Sequence, residues 1–130
     1  MRKKFINMSG SKSNRSGKVR ENISNKGIGN GIKKRYLKSK SSCKVTFRLP
    51  KDMVENAQRV SIVGDFNNWD NNTTFMKKLR NGDFSITLDL GRDREYRFRY
   101  LIDNRQWEND RQADKYIANP FGEEDSVVII

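Results

Sequence analysis

From Lys44 onward, apolar residues alternate with polar ones in short runs that turn residues interrupt about every ten positions. A period of two cannot wind onto a helix without scattering the apolar residues around it, so this stretch is restricted to strands with one buried face. Val45, Phe47 and Leu49 alternate until Pro50 stops the run, and Arg59–Asp65 is the next strand, with Val60, Ile62 and Gly64 on one face. Met76–Arg80 is a short strand closed by Asn81-Gly82-Asp83, a hairpin signal because Asn-Gly adopts positive φ at little cost. Phe84, Ile86, Leu88 and Leu90 alternate through the following strand, and Gly91-Arg92-Asp93 turns the chain. Glu95–Ile102 sets Tyr96, Phe98 and Tyr100 against Arg97, Arg99 and Leu101. After a turn at Asp103-Asn104-Arg105 come a short continuation, Gln106–Glu108, a long loop over Asn109–Gly122 and an apolar last strand, Ser126–Ile130. About seven short strands with no helical period predict an all-β, immunoglobulin-like β-sandwich.

Charge divides the chain at the same place. Residues 1–44 carry 14 of the 27 Lys and Arg but a single acid, Glu21, whereas residues 45–130 carry 13 basic and 15 acidic residues. The pI near 10.0 therefore describes the N-terminal part and not the alternating part. That N-terminal part is Ser, Gly, Asn and Lys, with isolated apolar residues such as Ile6, Val19 and Ile28 that keep no period. It offers too little apolar surface to offset the entropy of ordering it, so residues 1–43 read as a disordered basic tail and 44–130 as the folded domain. Phe5-Ile6-Asn7-Met8 breaks off into Ser9-Gly10-Ser11, so neither a secretion leader nor a membrane span is expected.

The one cysteine, Cys43, cannot close an internal disulfide, and a reducing, cytoplasmic compartment fits it best. The absence of histidine removes the commonest general base and every His-containing metal site or triad. Without such a partner Cys43 reads as a small apolar strand residue, not a nucleophile. No cofactor and no metal site is expected.

Two tryptophans stand where a core indole has no obvious place. Trp69 ends an apolar run inside a polar turn, among Asn67, Asn68, Asn71 and Asn72, and Trp107 follows the turn after Tyr96–Ile102. An aromatic plate beside amides suits a sugar, whose C–H face lies on the ring while its rim hydroxyls pair with the amides. Arg99, on the strand leading to Trp107, has a fork that can reach vicinal hydroxyls. Asp103 and Asp110 flank Trp107 and bring glycosidase carboxylates to mind, but both lie in turns, where Asp commonly bonds its own backbone. No enzyme activity is expected.

Val60-Ser-Ile-Val-Gly-Asp-Phe-Asn-Asn-Trp69, Asn81-Gly-Asp-Phe84, Tyr96-Arg-Phe-Arg-Tyr-Leu-Ile-Asp103 and Trp107-Glu-Asn-Asp110 together resemble, in order and spacing, the isoamylase early-set carbohydrate-binding modules of the family 48 type. Such glycogen-binding modules occur in the AMP-activated protein kinase β subunit and ahead of the catalytic barrels of branching and debranching enzymes. The resemblance covers roughly residues 44–130 and implies an early-set sandwich that binds α-1,4-linked glucan without catalysis. It implies that Trp69 and Trp107 are the stacking tryptophans and that Arg99 stands where a lysine contacts sugar hydroxyls. Phe121 matches a loop leucine that inserts against the glucan, and Asp125 an asparagine that pairs with hydroxyls. Asn68 joins these as a polar neighbour of Trp69. Three features depart from the family pattern: the turn before Trp107 is one residue longer, Arg111 follows Asp110 where proline is common, and Glu123, Glu124 and Asp125 put acids in the last loop.

The expected partner is thus an α-glucan such as glycogen, starch or maltodextrin, with no membrane. Two alternatives belong to other classes. In one, the sandwich is a scaffold docking onto a glucan-metabolising enzyme or a kinase assembly, with an edge-to-edge dimer through Val127–Ile130 as a variant. In the other, the basic tail makes a weak polyanion or nucleic-acid contact, aided by base stacking on the aromatic strand Arg97–Arg105.

Overall fold

The computed structural model describes residues 32–38 and 41–130. Among these the chain forms nine strands: β1 (Lys33–Tyr36), β2 (Ser42–Leu49), β3 (Val60–Gly64), β4 (Lys77–Lys78), β5 (Phe84–Gly91), β6 (Glu95–Ile102), β7 (Gln106–Glu108), β8 (Lys115–Ala118) and β9 (Glu124–Ile129). They make two antiparallel sheets, one in the order β1-β2-β5-β4 and the other β3-β6-β9-β8, with β7 also paired to β6. The result is an all-β sandwich of the immunoglobulin-like, early-set kind.

The period of two decides what faces inward. In β2 the residues Cys43, Val45, Phe47 and Leu49 are buried while their neighbours are only half-buried, and in β6 the row Tyr96, Phe98, Tyr100 and Ile102 is buried. These two rows meet between the sheets, where Phe47 packs edge-on to Phe98 with ring centroids 5.0 Å apart. Phe98 meets Tyr100 in the same way at 5.7 Å. Each fully buried ring of this kind contributes about 1.5–3 kcal/mol through the apolar surface it withdraws from water. Cys43 is fully buried in this core, as a small apolar strand residue should be.

Turn chemistry closes the elements. Leu79 and Asp83 bracket the Asn81-Gly82 hairpin, where Gly82 has φ +100° and Asn81 Oδ1 accepts the Asp83 N–H. Asp103 and Asn104 both take left-handed φ, which lets β6 reverse into β7. The Asp103 carboxylate accepts the N–H groups of Gln58 and Arg59, and these bonds hold it below the usual carboxylate range. Asp110 is buried: one oxygen accepts the Tyr100 hydroxyl at 2.6 Å and the other the Gln112 N–H. Burial pushes its carboxyl up, against the pull of those two donors. Both aspartates are thus occupied inside the framework.

The structure differs from the sequence expectation in four places. Strand pairing begins at Lys33, upstream of the expected boundary at Lys44, because β1 pairs in register with Cys43–Thr46 and Lys34 reaches Asp114 at 2.7 Å. The basic residues before Ile32 lie outside the described residues. The expected long loop contains β8, whose Tyr116 is buried and whose hydroxyl bonds the Asp110 carbonyl. The last strand is not an edge strand: β9 lies between β6 and β8, pairing with Glu95–Phe98 on one side and with Lys115–Ala118 on the other. Tyr96, Phe98 and Tyr100 are core residues, so the Arg97–Arg105 strand presents none of these rings for base stacking.

Candidate functional site

The outer face of the five-stranded sheet follows from register alone. Cross-strand partners share a face. Val63 lies opposite Arg99, Leu101 opposite Trp107, and Arg97 opposite Val127. Asp125, two residues before Val127, is on that face too. Because β9 pairs with Glu95–Phe98 and β7 with Tyr100–Ile102, the two strands sit end to end along one side of β6. Trp107 on β7 therefore lies beside the turn that enters β9. On the other side of β6, β3 ends at Gly64 and the chain turns through Asp65–Asn67 to Trp69.

These pieces enclose one concavity of about 720 Å³, lined by Trp69 and Trp107, by Arg97, Arg99, Asp65 and Asp125 across the floor, and by Asn119–Phe121 and Glu123. Trp69 and Trp107 are 36% and 39% exposed and Phe121 is 84% exposed, so three aromatic surfaces face solvent around one floor. The longer Asp103–Arg105 turn does not carry Trp107 out of the site.

Each wall is held by its own device. Asn68 and Trp69 take consecutive left-handed φ values of 57°, a costly conformation for an indole-bearing residue. The Trp69 N–H bonds the Gly64 carbonyl at 2.9 Å, and the indole Nε1–H donates to Asp65 Oδ1 at 2.9 Å. Trp107 takes its place from strand pairing, with the Arg99 guanidinium carbon 5.6 Å from its ring centroid. Phe121 rides on a turn organised by Asn119. Asn119 Oδ1 accepts the N–H groups of Phe121 and Glu123, its own N–H bonds the Glu123 carbonyl, and Nδ2 donates to Asp125 Oδ1 at 3.0 Å.

The floor is charged but internally matched. Arg99 Nη1 meets Glu123 Oε1 at 2.9 Å, and Arg97 Nη1 lies 3.8 Å from Asp125 Oδ2. Arg99 is only 14% exposed and its Nε is shut off from solvent without a hydrogen bond, so it is a half-enclosed donor and not a solvated charge. Asp125 is 6% exposed, and burial pushes its carboxyl up against the pull of Asn119, Arg97 and Arg99. Donors and acceptors thus alternate over a small area, which suits hydroxyls because each both gives and accepts a hydrogen bond.

Of the six residues singled out in the sequence, Trp69, Arg99, Trp107, Phe121 and Asp125 line this one concavity. Asn68 does not; it is exposed in the left-handed turn and outside the lining. The other asparagines expected around Trp69 do not line the concavity either. Asn67 spends its side chain inside the turn, accepting the Gly64 N–H and donating to the Ile62 carbonyl and Thr74 hydroxyl, and Asn71 and Asn72 lie outside the lining. The polar groups come instead from Asp65, Arg97, Asn119 and Glu123. Arg97 carried a readable signal, since it shares a face with Arg99 at a spacing of two. No cluster of three or more metal-ligating side chains occurs among the described residues, and no helix there is long and apolar enough to cross a membrane.

A sandwich that offers an open, aromatic-walled concavity on one outer sheet face, built on rigid strands and short turns, has the form of a β-sandwich binding module. The chain belongs to the carbohydrate-binding module 48 family (isoamylase N-terminal domain), whose family model matches residues 43–122. Among solved structures its fold is similar to that of the enterobactin esterase FES from Shigella flexneri, determined in the presence of 2,3-di-hydroxy-N-benzoyl-serine. The TM-score is 0.62 at 12% identity, over 83% of this chain and 34% of that one. The chain thus spans about a third of that protein's length, and at this identity the likeness concerns the fold alone. No curated protein matches the chain.

Proposed function

We propose that this chain is a non-catalytic module that binds an α-1,4-linked glucan such as glycogen, starch or maltodextrin by stacking glucose units on Trp69 and Trp107. The observation that carries this reading is the convergence of both indoles, with Arg99 between them, on one solvent-facing concavity. Its volume falls within the range of about 300–1,000 Å³ usual for small-ligand sites. The indoles cover the apolar C–H faces of successive sugars, Phe121 closes over the outer side, and Arg97, Arg99, Glu123 and Asp125 pair with the rim hydroxyls. The module acts as the glucan-holding part of an assembly with a glucan-metabolising enzyme, in the reducing cytoplasm that its lone buried thiol suits.

Titration with β-cyclodextrin or maltoheptaose followed by tryptophan fluorescence tests this. Wild type should respond at millimolar sugar or below, and Trp69→Ala and Trp107→Ala should each weaken binding about tenfold or more, as expected when an aromatic anchor is removed. A silent wild type would refute the reading.

A further inference from the structure

Of the two indoles, Trp69 is the one less secured by regular structure: it follows a single turn of 3-10 helix and has no strand pairing of its own, whereas Trp107 lies in β7. An unconstrained indole has two side-chain torsions to lose on binding, and a site that fixes them beforehand avoids that cost. The neighbouring Asp65 is placed to do this. Its Oδ1 accepts the Trp69 Nε1–H at 2.9 Å, and its Oδ2 accepts the backbone N–H of Arg97 at 2.7 Å. The second bond ties the carboxylate to β6 just beyond Gly64–Phe98, the last pair of the β3–β6 ladder, where the Arg97 N–H points away from β9.

Both oxygens are thus used, and each has one job. Oδ2 anchors Asp65 to the sheet that carries Arg97 and Arg99, and Oδ1 transmits that anchorage to the indole. A carboxylate is suited to the role because it accepts on both oxygens, and a charged acceptor binds N–H more strongly than a neutral one. The indole N–H is consumed by this bond, so Trp69 meets its ligand through the ring face alone.

We infer that Asp65 is a positioning residue, a clamp that locks the Trp69 ring in its ligand-ready orientation against β6. The consequence for affinity rests on the glucan reading above; the clamp itself does not.

The test uses the full chain with ¹⁵N-labelled indoles, which gives two separate signals because the chain has two tryptophans. Asp65→Ala should speed hydrogen exchange of the Trp69 indole N–H about tenfold, the equivalent of one charge-assisted bond, and leave the Trp107 signal in place. It should weaken β-cyclodextrin binding about fivefold to tenfold. In a Trp69→Phe background, which keeps a ring but has no N–H, the same Asp65→Ala change should cost less than about twofold, because there is nothing left to clamp. Loss of the Trp107 signal would mean that Asp65→Ala unfolds the domain; Asp65→Asn then takes its place, and its weaker amide acceptor should still speed Trp69 exchange. Unchanged Trp69 exchange in the folded variant, or additive losses in the double mutant, would overturn the proposal. A wild type that ignores β-cyclodextrin removes the glucan reading, while the exchange measurement still decides the clamp.

Discussion

Gly64→Ala is the substitution whose cost the structure specifies most directly. Gly64 is the last residue of β3 and lies opposite Phe98. A Cβ there would stand 2.4 Å from the Arg97 carbonyl oxygen, 2.6 Å from Phe98 Cβ and 2.9 Å from Phe98 Cα. Carbon atoms in contact settle at about 3.5–4.0 Å, so the overlap with Phe98 approaches about 1 Å. None of the three atoms can rotate aside, since each is backbone or fixed to it, and Phe98 is fully buried. The strands must part at the point where the turn to Trp69 begins. Overpacking costs about 1–3 kcal/mol, and rigid partners put this case at the upper end, about 3 kcal/mol. At about 4–8 °C per kcal/mol for a domain of this size, Tm should fall by about 12–24 °C. Gly122→Ala is the control: nothing lies within 4 Å of its Cβ, and φ is +82°. Only the left-handed backbone opposes it, at about 1–2 kcal/mol. Thermal unfolding followed by circular dichroism reads both. A fall of less than about 4 °C for Gly64→Ala, or equal falls for the two variants, would refute the contact argument.

Three further outcomes follow from the geometry. Asp103 has a carboxyl held low by the Arg59 and Gln58 N–H groups, so the stability it contributes is present above its ordinary value of 3.8 and is lost as pH falls through its folded value. Asp103→Asn should flatten the acid limb of a pH titration of stability; an unchanged limb would count against the assignment. Burial raises the Asp125 carboxyl from its ordinary value of 3.8, so it gives up its proton at a higher pH than an exposed carboxyl does. If it accepts a sugar hydroxyl, β-cyclodextrin affinity rises with pH through that raised value, and Asp125→Asn abolishes the rise in calorimetric titrations. Asn119→Ala removes the acceptor shared by Phe121 and Glu123, so exchange of those two amides should accelerate about tenfold or more while core amides keep their protection.

What could be read along the chain was whatever depends on near neighbours. The alternation in Val45–Leu49 and Tyr96–Ile102 predicts strands because a period of two forces one face inward, and those rows form the core. Asn81-Gly82 specifies its hairpin because positive φ is a local property. β1 escaped notice because Lys33-Lys34-Arg35-Tyr36 is an edge strand whose charge blunts the open side, and that charge looks like tail. β8 escaped because four residues with one buried ring carry too little periodicity.

The site divides along the same line. Residue type and turn spacing, written in order along the chain, were enough to place one indole in a turn and the other just after one, with Arg99 on the strand between them. The polar groups that accompany them were chosen by long-range pairing. Asp65 and the Arg97 N–H are 32 residues apart and meet because β3 and β6 pair side by side. Glu123 reaches Arg99 because β9 pairs with β6, which brings the residues entering β9 alongside Arg99. Asn68, adjacent to Trp69 in sequence, is left outside the concavity because two successive left-handed residues reverse the chain between them. Sequence proximity predicts backbone conformation; sheet register and strand order choose which side chains share a surface.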